Sequence, residues 1–257
     1  MTNLGRFFGS TIGRKILMAA TGVVLILFVI GHLVGNLQIF EDPDRINGYA
    51  QFLHSLGPVL WVVRIVLLTC ATIHIWAATV LALEARKARG TTPYKSQLWI
   101  QAALASRYMR WTGYVVLAFI LYHLAQFTLG VAQAESFKEN LPSYTMQGDY
   151  HVMGFTVVRA GTVVADVYSM VILGFSNPVV AAFYIVAVGL LALHLLHGAD
   201  SLFQTLGLRN KRWASGLRAV VTIGCALYFL GNAAIPGSVL AGLLTPQAAS
   251  QSAPIAR

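Results

Sequence analysis

Thr21 to Leu33 reads TGVVLILFVIGHL, and Thr112 to Leu124 reads TGYVVLAFILYHL. Thr, Gly, His and Leu recur at the same spacing in both, inside runs that carry no Asp, Glu, Lys or Arg. Each run belongs to a longer apolar segment, and about 20 such residues in a helix cross the ~30 Å hydrocarbon core of a bilayer. Working outward from these two, the chain holds five segments of that kind, at 16–40, 56–83, 108–132, 178–203 and 217–235. The expected fold is an all-α membrane protein, one five-transmembrane-helix bundle over 1–244. A connection at 133–177 is expected to form an extramembrane cap, and the stretch 245–257, rich in Pro, Ser, Gln and Ala, a flexible tail.

Composition agrees: 57% of the 257 residues are hydrophobic and 11% charged, outside the range of soluble domains. The net charge of +9 does not indicate nucleic acid, because the basic residues sit in short loops rather than on an aromatic-interleaved face. They read as topology. Arg6, Arg14 and Lys15 precede the first segment; Arg86, Lys87, Arg89, Lys95, Arg107 and Arg110 flank the second loop; Arg209, Lys211, Arg212 and Arg218 flank the fourth. Glu41, Asp42, Asp44, Glu135, Glu139, Asp149 and Asp166 mark the other side. The positive-inside rule then places the N-terminus in the cytoplasm and the C-terminus outside. The first segment is too long for a signal-peptide core and no small-residue cleavage site follows it, so it is expected to be retained. Cys70 and Cys225 have no CxxC or metal-ligand spacing and read as packing residues.

His32, His74, His123, His194 and His197 fall inside four of the five segments, where ionisable groups are costly and usually functional. A neutral ring bonded to a neighbouring helix would account for any one of them. The repeat argues for pairs instead. Equal spacing from Thr-Gly puts His32 and His123 at one depth, toward the outer face. His74 precedes Arg86 by twelve residues as His197 precedes Arg209, which pairs them toward the cytoplasm. His194 lies about one turn further outward and is the alternate ligand or a second-shell residue. Small residues beside these histidines (Gly31, Gly35 and Asn36; Ala77 and Ala78; Gly198, Ala199 and Ser201) leave room for a flat group. Zinc would want four ligands converging at one depth. Two pairs at two depths fit two b haems, and bis-histidine iron, with no open position, transfers electrons rather than binding oxygen.

The segments IGRKILMAATG with GHLVGNL, SRYMRWTG with YHLAQFT, and HLLHGADSLFQTLG resemble the di-haem cytochrome b membrane anchor of succinate dehydrogenases and fumarate reductases, the succinate:quinone oxidoreductases. The resemblance covers nearly the whole chain. It implies an outer haem on His32 and His123 and an inner haem on His74 and His197. In relatives the fourth-helix ligand is followed four residues later by a small residue, then Leu and an aromatic, as His197 is by Ser201, Leu202 and Phe203. It also implies a bacterial inner (cytoplasmic) membrane, flavoprotein and iron-sulphur subunits docked on the cytoplasmic face, and menaquinone as electron carrier. Nothing on this chain resembles a flavin fingerprint or an iron-sulphur cysteine set, so succinate chemistry is expected on the partners. Three alternatives stay open: the quinol:fumarate reductase direction, an anchor for another respiratory dehydrogenase, and, from a different class, a proton-coupled transporter with histidine relays.

Further candidates are weaker. Arg14, Lys15, Arg107 and Arg110 are expected to contact haem propionates or the iron-sulphur partner, unless they are orientation signals alone. Arg64, in the outer third of the second segment, would cost ~3 kcal/mol at midplane, so it either snorkels outward or meets an outer propionate. Tyr49, Gln51 and His54 are candidates to line an outer quinone site, His54 exchanging the protons; otherwise they form an ordinary polar loop. Tyr94, Trp99, Tyr108 and Trp111 read as an aromatic belt. Asp200, close after His197, is expected to pair with an Arg or hydrogen-bond at the inner surface.

Overall fold

The computed structural model describes residues 7–90, 104–208, 210 and 212–246. In chain order its main elements are α1 (Thr11–Asn36), a 3-10 turn (Leu37–Phe40), α2 (Pro43–Ser55), α3 (Pro58–Arg89), α4 (Leu104–Phe127), a second 3-10 turn (Ala134–Ser136), and the strands β1 (Tyr144–Thr145), β2 (Tyr150–Val152), β3 (Phe155–Val158) and β4 (Val163–Val164). Helices α5 (Val167–Phe175), α6 (Pro178–Thr205) and α7 (Ala214–Leu240) complete it.

Local chemistry sets the helix starts. Ser10 Oγ accepts the Gly13 amide at 3.0 Å and caps α1, while Asp42 accepts the Arg45 amide at 3.1 Å ahead of Pro43. Asn177 Oδ1 accepts the Val179 amide at 2.9 Å, with Pro178 in the first turn of α6. A polar cap followed by proline starts a helix because the cap satisfies one orphan amide and the ring presets φ. Before α3 the chain bends at Gly57, at φ +52°, which a Cβ would strain.

Among the described residues four helices are long and apolar enough to cross a membrane: α1 with its following turn, α3, α6 and α7. Their outer surfaces carry large apolar side chains, Leu27 at 65%, Leu68 at 69% and Val220 at 69% exposure. A water-soluble protein would bury such faces; here they suit lipid. The chain has the make-up of a multi-pass α-helical membrane protein. The fifth expected span corresponds to α4, 24 residues or ~36 Å of helix. Its apolar stretch is diluted by Arg110, His123 and Gln126, so by composition it falls short of the other four.

Two features go beyond the sequence expectation. The segment after α1, expected as a polar loop, forms a further helix, α2, and the 133–177 connection, whose structure the sequence left open, contains short paired strands. β1 pairs with β4, and β2 with β3, both antiparallel. The β2–β3 hairpin turns through Met153 and Gly154, both at positive φ, as a two-residue turn between twisted strands requires. Tyr144, Met146, Tyr150, Val158 and Val164 form a small core against Tyr49 and Phe52 of α2. Asp44 locks the cap to α2 by accepting the amides of Gln147 at 2.9 Å and Gly148 at 2.6 Å. Asp166, expected as an outer-surface charge, is instead buried; it caps α5 by accepting the Ser169 amide at 2.9 Å and meets Asn47 Nδ2 at 3.4 Å.

Within the bundle α1 packs along α3, α4 along α6, and α7 against α6; α1 meets α6 and so joins the two pairs. The main core gathers toward the cap, on Ile39, Ile46, Phe119, Tyr184 and Ile235. Cys70 and Cys225 are free thiols, and Cys225 lines a cavity of about 280 Å³ between α6 and α7.

Candidate metal centre: two histidine pairs between the helices

Four histidines bridge the α1–α3 pair and the α4–α6 pair at two levels. At the level nearer the 133–177 cap, termed outer after the sequence expectation, the other being termed inner, the rings of His32 and His123 lie 5.7 Å apart, centroid to centroid, and perpendicular. Aromatic side chains hold them. Phe28 stacks on His32 at 5.4 Å, and Phe119, Phe127 and Tyr184 surround His123 at 5.8, 5.6 and 6.1 Å. The Tyr184 hydroxyl donates to Gln126 Oε1 at 2.7 Å and lies 3.5 Å from His123 Nδ1. With its proton given to Gln126, its oxygen is left to accept from the ring. Gln126 in turn donates to Gln133 and, at 3.4 Å, to the Gly174 carbonyl, which fixes its amide orientation.

At the inner level hydrogen bonds do the holding. His74 Nδ1 sits 3.1 Å from the Met18 carbonyl and 3.3 Å from Thr21 Oγ1, both on α1. His194 Nδ1 sits 3.3 Å from Thr112 Oγ1, with the Met109 carbonyl beside its ring, both on α4. The residue after each threonine is glycine, and a Cβ on Gly22 or on Gly113 would stand 3.5 Å from the Cε1 of its histidine. The two arrangements are copies of each other. His194 also lies within electrostatic range of His74. Thr21 is level with the inner pair, and His32 follows it by eleven residues, so the levels are ~16 Å apart along the helix.

The geometry departs from the inner pairing expected from sequence. His194, not His197, occupies the place equivalent to His74, while His197 is half-buried and feels the charge of Asp200. Counting back from Arg86 and Arg209 misplaced the depth because α3 stays helical through Arg89 whereas α6 ends at Thr205. Residues beyond a helix end no longer measure 1.5 Å each along its axis.

The donor set fits a bis-imidazole group better than a tetrahedral ion. Among the described residues no three His, Cys, Asp or Glu side chains converge, and a structural zinc needs four ligands. Ligating imidazoles characteristically give their other ring N–H to a carbonyl or similar acceptor. His74 does so at the Met18 carbonyl, and His194 has the Met109 carbonyl beside its ring in the equivalent place; a bound Nδ1 leaves Nε2 facing away from the anchor.

The remaining candidates are dispersed. Arg14 pairs with Glu84 of α3 and donates to the Gly9 carbonyl at 2.7 Å, so its charge is already engaged. Lys15 is exposed. Arg110, with Arg86, Trp111 and Tyr114, lines a cavity of about 620 Å³ between the inner ends of α3 and α4. Arg64 is exposed with its guanidinium 5.0 Å over the Trp61 ring, the snorkelling arrangement rather than an inward one. Tyr49, half-buried, packs on Gly35 of α1, where a Cβ would come within 2.5 Å of its ring; burial and then Tyr150 push its hydroxyl pKa up. On the helical wheel of α2, Gln51 and His54 share a side that Tyr49 does not, so the three do not form one site. His54 Nε2 lies 3.3 Å from Lys138 Nζ. Burial, then the charges of Lys138 and Arg64, lower its pKa, and burial also lowers that of Lys138. Arg6, Tyr94, Lys95, Trp99, Arg209, Lys211, the side chains of Arg89 and Arg107, and the tail from 247 onward lie outside the described residues.

The residues missed in the sequence are the anchors: Met18, Thr21, Met109, Thr112, Tyr184 and Gln126. A signal existed for four of them, because Met-x-x-Thr-Gly occurs at 18–22 and again at 109–113. Compared with protein-family models, with curated proteins and with solved structures, the chain finds no match in any of the three.

Proposed function

We propose that the chain is the di-haem cytochrome b anchor of a succinate:quinone oxidoreductase, with menaquinone as the expected carrier. The observation that carries this reading is the pair of two-histidine levels ~16 Å apart, each formed by two different helices. In this reading His32 and His123 hold the outer haem, and His74 and His194 the inner one. His197 becomes a neighbour of the inner site beside Asp200. Haem iron with two imidazole ligands supplies one-electron transfer. The protein's own part is to orient four imidazoles and exclude water, which the aromatic wall serves at His32 and His123 and the anchors on α1 and α4 serve at His74 and His194.

Five transmembrane helices with the N-terminus inside, α4 among them, complete the proposed topology. Flavoprotein and iron-sulphur subunits would dock on the inner face, near Arg86, Arg107 and Arg110, and succinate oxidation or the reverse would occur on them. Quinone is placed near the outer haem, with Gln51 and His54 as candidate lining. A proton-coupled transporter is less well supported. The histidine-bearing helices α1, α3, α4 and α6 run without a break among the described residues, whereas midplane transport sites usually sit on interrupted helices.

The test is to purify the complex from its native membrane, assay pyridine haemochrome and name the co-purifying subunits by mass spectrometry. Two non-covalent b haems per chain with a flavoprotein and an iron-sulphur protein are expected. A colourless preparation would favour the transporter, and other partners would favour another dehydrogenase.

A further inference from the structure

Threonine inside a membrane helix commonly turns its hydroxyl back onto a carbonyl of its own helix and serves no other purpose. Thr72, Thr79 and Thr222 do this here, each at 2.8 Å from the carbonyl four residues back, and all three are exposed to the lipid side. Thr21 and Thr112 differ in position. They are 7% and 5% exposed, and a histidine nitrogen from the neighbouring helix stands 3.3 Å from each hydroxyl oxygen.

The direction of these contacts follows from where the protons go. Thr21 donates to the Leu17 carbonyl at 2.8 Å, and Thr112 to the Met109 carbonyl at 2.9 Å. A hydroxyl has one proton, so each oxygen faces its histidine as an acceptor. The second neighbour of His74 Nδ1 is the Met18 carbonyl at 3.1 Å, which can only accept, and the Met109 carbonyl stands beside the His194 ring in the equivalent place. Between two acceptors Nδ1 must carry the hydrogen. The lone pair is then on Nε2, and two acceptors on one N–H restrict rotation of the ring.

We propose that Thr21 and Thr112 are a matched pair of positioning residues that fix the Nδ1–H tautomer and ring plane of His74 and His194 and thereby present both Nε2 atoms to the inner haem iron. The inference rests on the di-haem reading above. Each part of the Met-x-x-Thr-Gly repeat then has a chemical role, methionine supplying the carbonyl, threonine the second acceptor, and glycine the flat wall against Cε1. An imidazole whose N–H is bound to acceptors is a stronger electron donor. The clamp therefore favours oxidised inner iron, which lowers its potential. The outer pair has aromatic neighbours in the corresponding role, so the two levels respond separately.

The experiment is a spectroelectrochemical titration of the purified complex, wild type against Thr21→Val, Thr112→Val, the double variant and the two Thr→Ser variants. The inner component is identified as the one missing in His74→Ala. Each Val variant should raise the inner midpoint, with at least a threefold change in the oxidised-to-reduced ratio at the wild-type midpoint and a larger change in the double variant. The outer component should stay in place and the Ser variants should match wild type. Loss of the inner haem in the Val variants, restored by Ser, is the stronger form of the same result. Two intact haems with unmoved midpoints in the double Val variant overturn the clamp alone. Haem loss that Ser does not restore assigns the threonines to packing and overturns it as well. Colourless wild-type protein sinks the di-haem reading and the clamp with it.

Discussion

The outer and inner histidine pairs use the same residue type in the same helices and are held in different ways. His32 and His123 lie among Phe28, Phe119, Phe127 and Tyr184, with a single long contact to a hydroxyl. His74 Nδ1 is tied to a carbonyl and a threonine of the adjacent helix, and His194 Nδ1 to a threonine with the Met109 carbonyl beside the ring. The outer level is near the cap, where the core is densest, and packing alone can orient a ring. At the inner level α3 buries little beyond Ala77. Where packing is thin, hydrogen bonds must supply the orientation that packing supplies elsewhere.

The sharpest way to break this comparison is to remove ligands one at a time. His32→Ala and His123→Ala should each abolish the outer haem, and His74→Ala and His194→Ala the inner one, halving the pyridine haemochrome yield per chain. His197→Ala should keep both haems. An inner haem that survives His194→Ala but not His197→Ala would return the assignment to His197.

Tyr184→Phe tests the outer level by deleting the acceptor beside His123 Nδ1 and orphaning the buried Gln126 oxygen. An unsatisfied buried polar group costs about 1–3 kcal/mol. The outer haem should therefore be released at lower temperature, followed by its absorbance, with the inner one unmoved. If both haems loosen together, the aromatic wall serves the whole bundle rather than one level.

Much of this is legible in the sequence. Apolar length locates the four helices that are long and apolar enough to cross a membrane, because a bilayer sets a minimum length on such a segment. The Thr-to-His repeat gives the depth of His32 and His123, since both counts run inside continuous helices. The cap is not legible: strands of two to four residues leave no periodic pattern, and β1 finds its partner across the β2–β3 hairpin. The inner pairing goes astray where the ruler leaves the helix at Thr205.

A smaller effect is expected at the cap. His54 has its pKa lowered below 6.5 by burial, then by Lys138 and Arg64. A group with a lowered folded pKa contributes stability that is present above the unfolded value and is lost as pH falls through the folded one. The contact with Lys138 should therefore hold above pH 6.5 and weaken in more acid solution. Hydrogen exchange near Lys138 should show that loss, and His54→Gln should flatten it. Smallest of all, Gly22→Ala should leave the inner haem in place, because a Cβ at 3.5 Å from His74 Cε1 makes an ordinary contact. Helix propensity would even favour it by about 1 kcal/mol. Gly22→Leu, reaching past Cε1 toward Nε2, should displace the haem; retention of a normal inner spectrum there would remove glycine from the account of the site.

The Met-x-x-Thr-Gly repeat, with its histidine eleven residues on, has a consequence for how the molecule is assembled. Helices α1 and α3 form one hairpin and α4 and α6 another, and each hairpin brings one imidazole to each level. Neither hairpin holds a complete site. Contacts of this reciprocal kind, in which a residue on one half meets its own counterpart on the other, are those of a two-fold symmetric dimer. Two copies of an ancestral hairpin meeting face to face would already possess both sites, and joining them into one chain would free each copy to diverge. In the di-haem reading proposed above, each cofactor would then act as a rivet between two half-proteins.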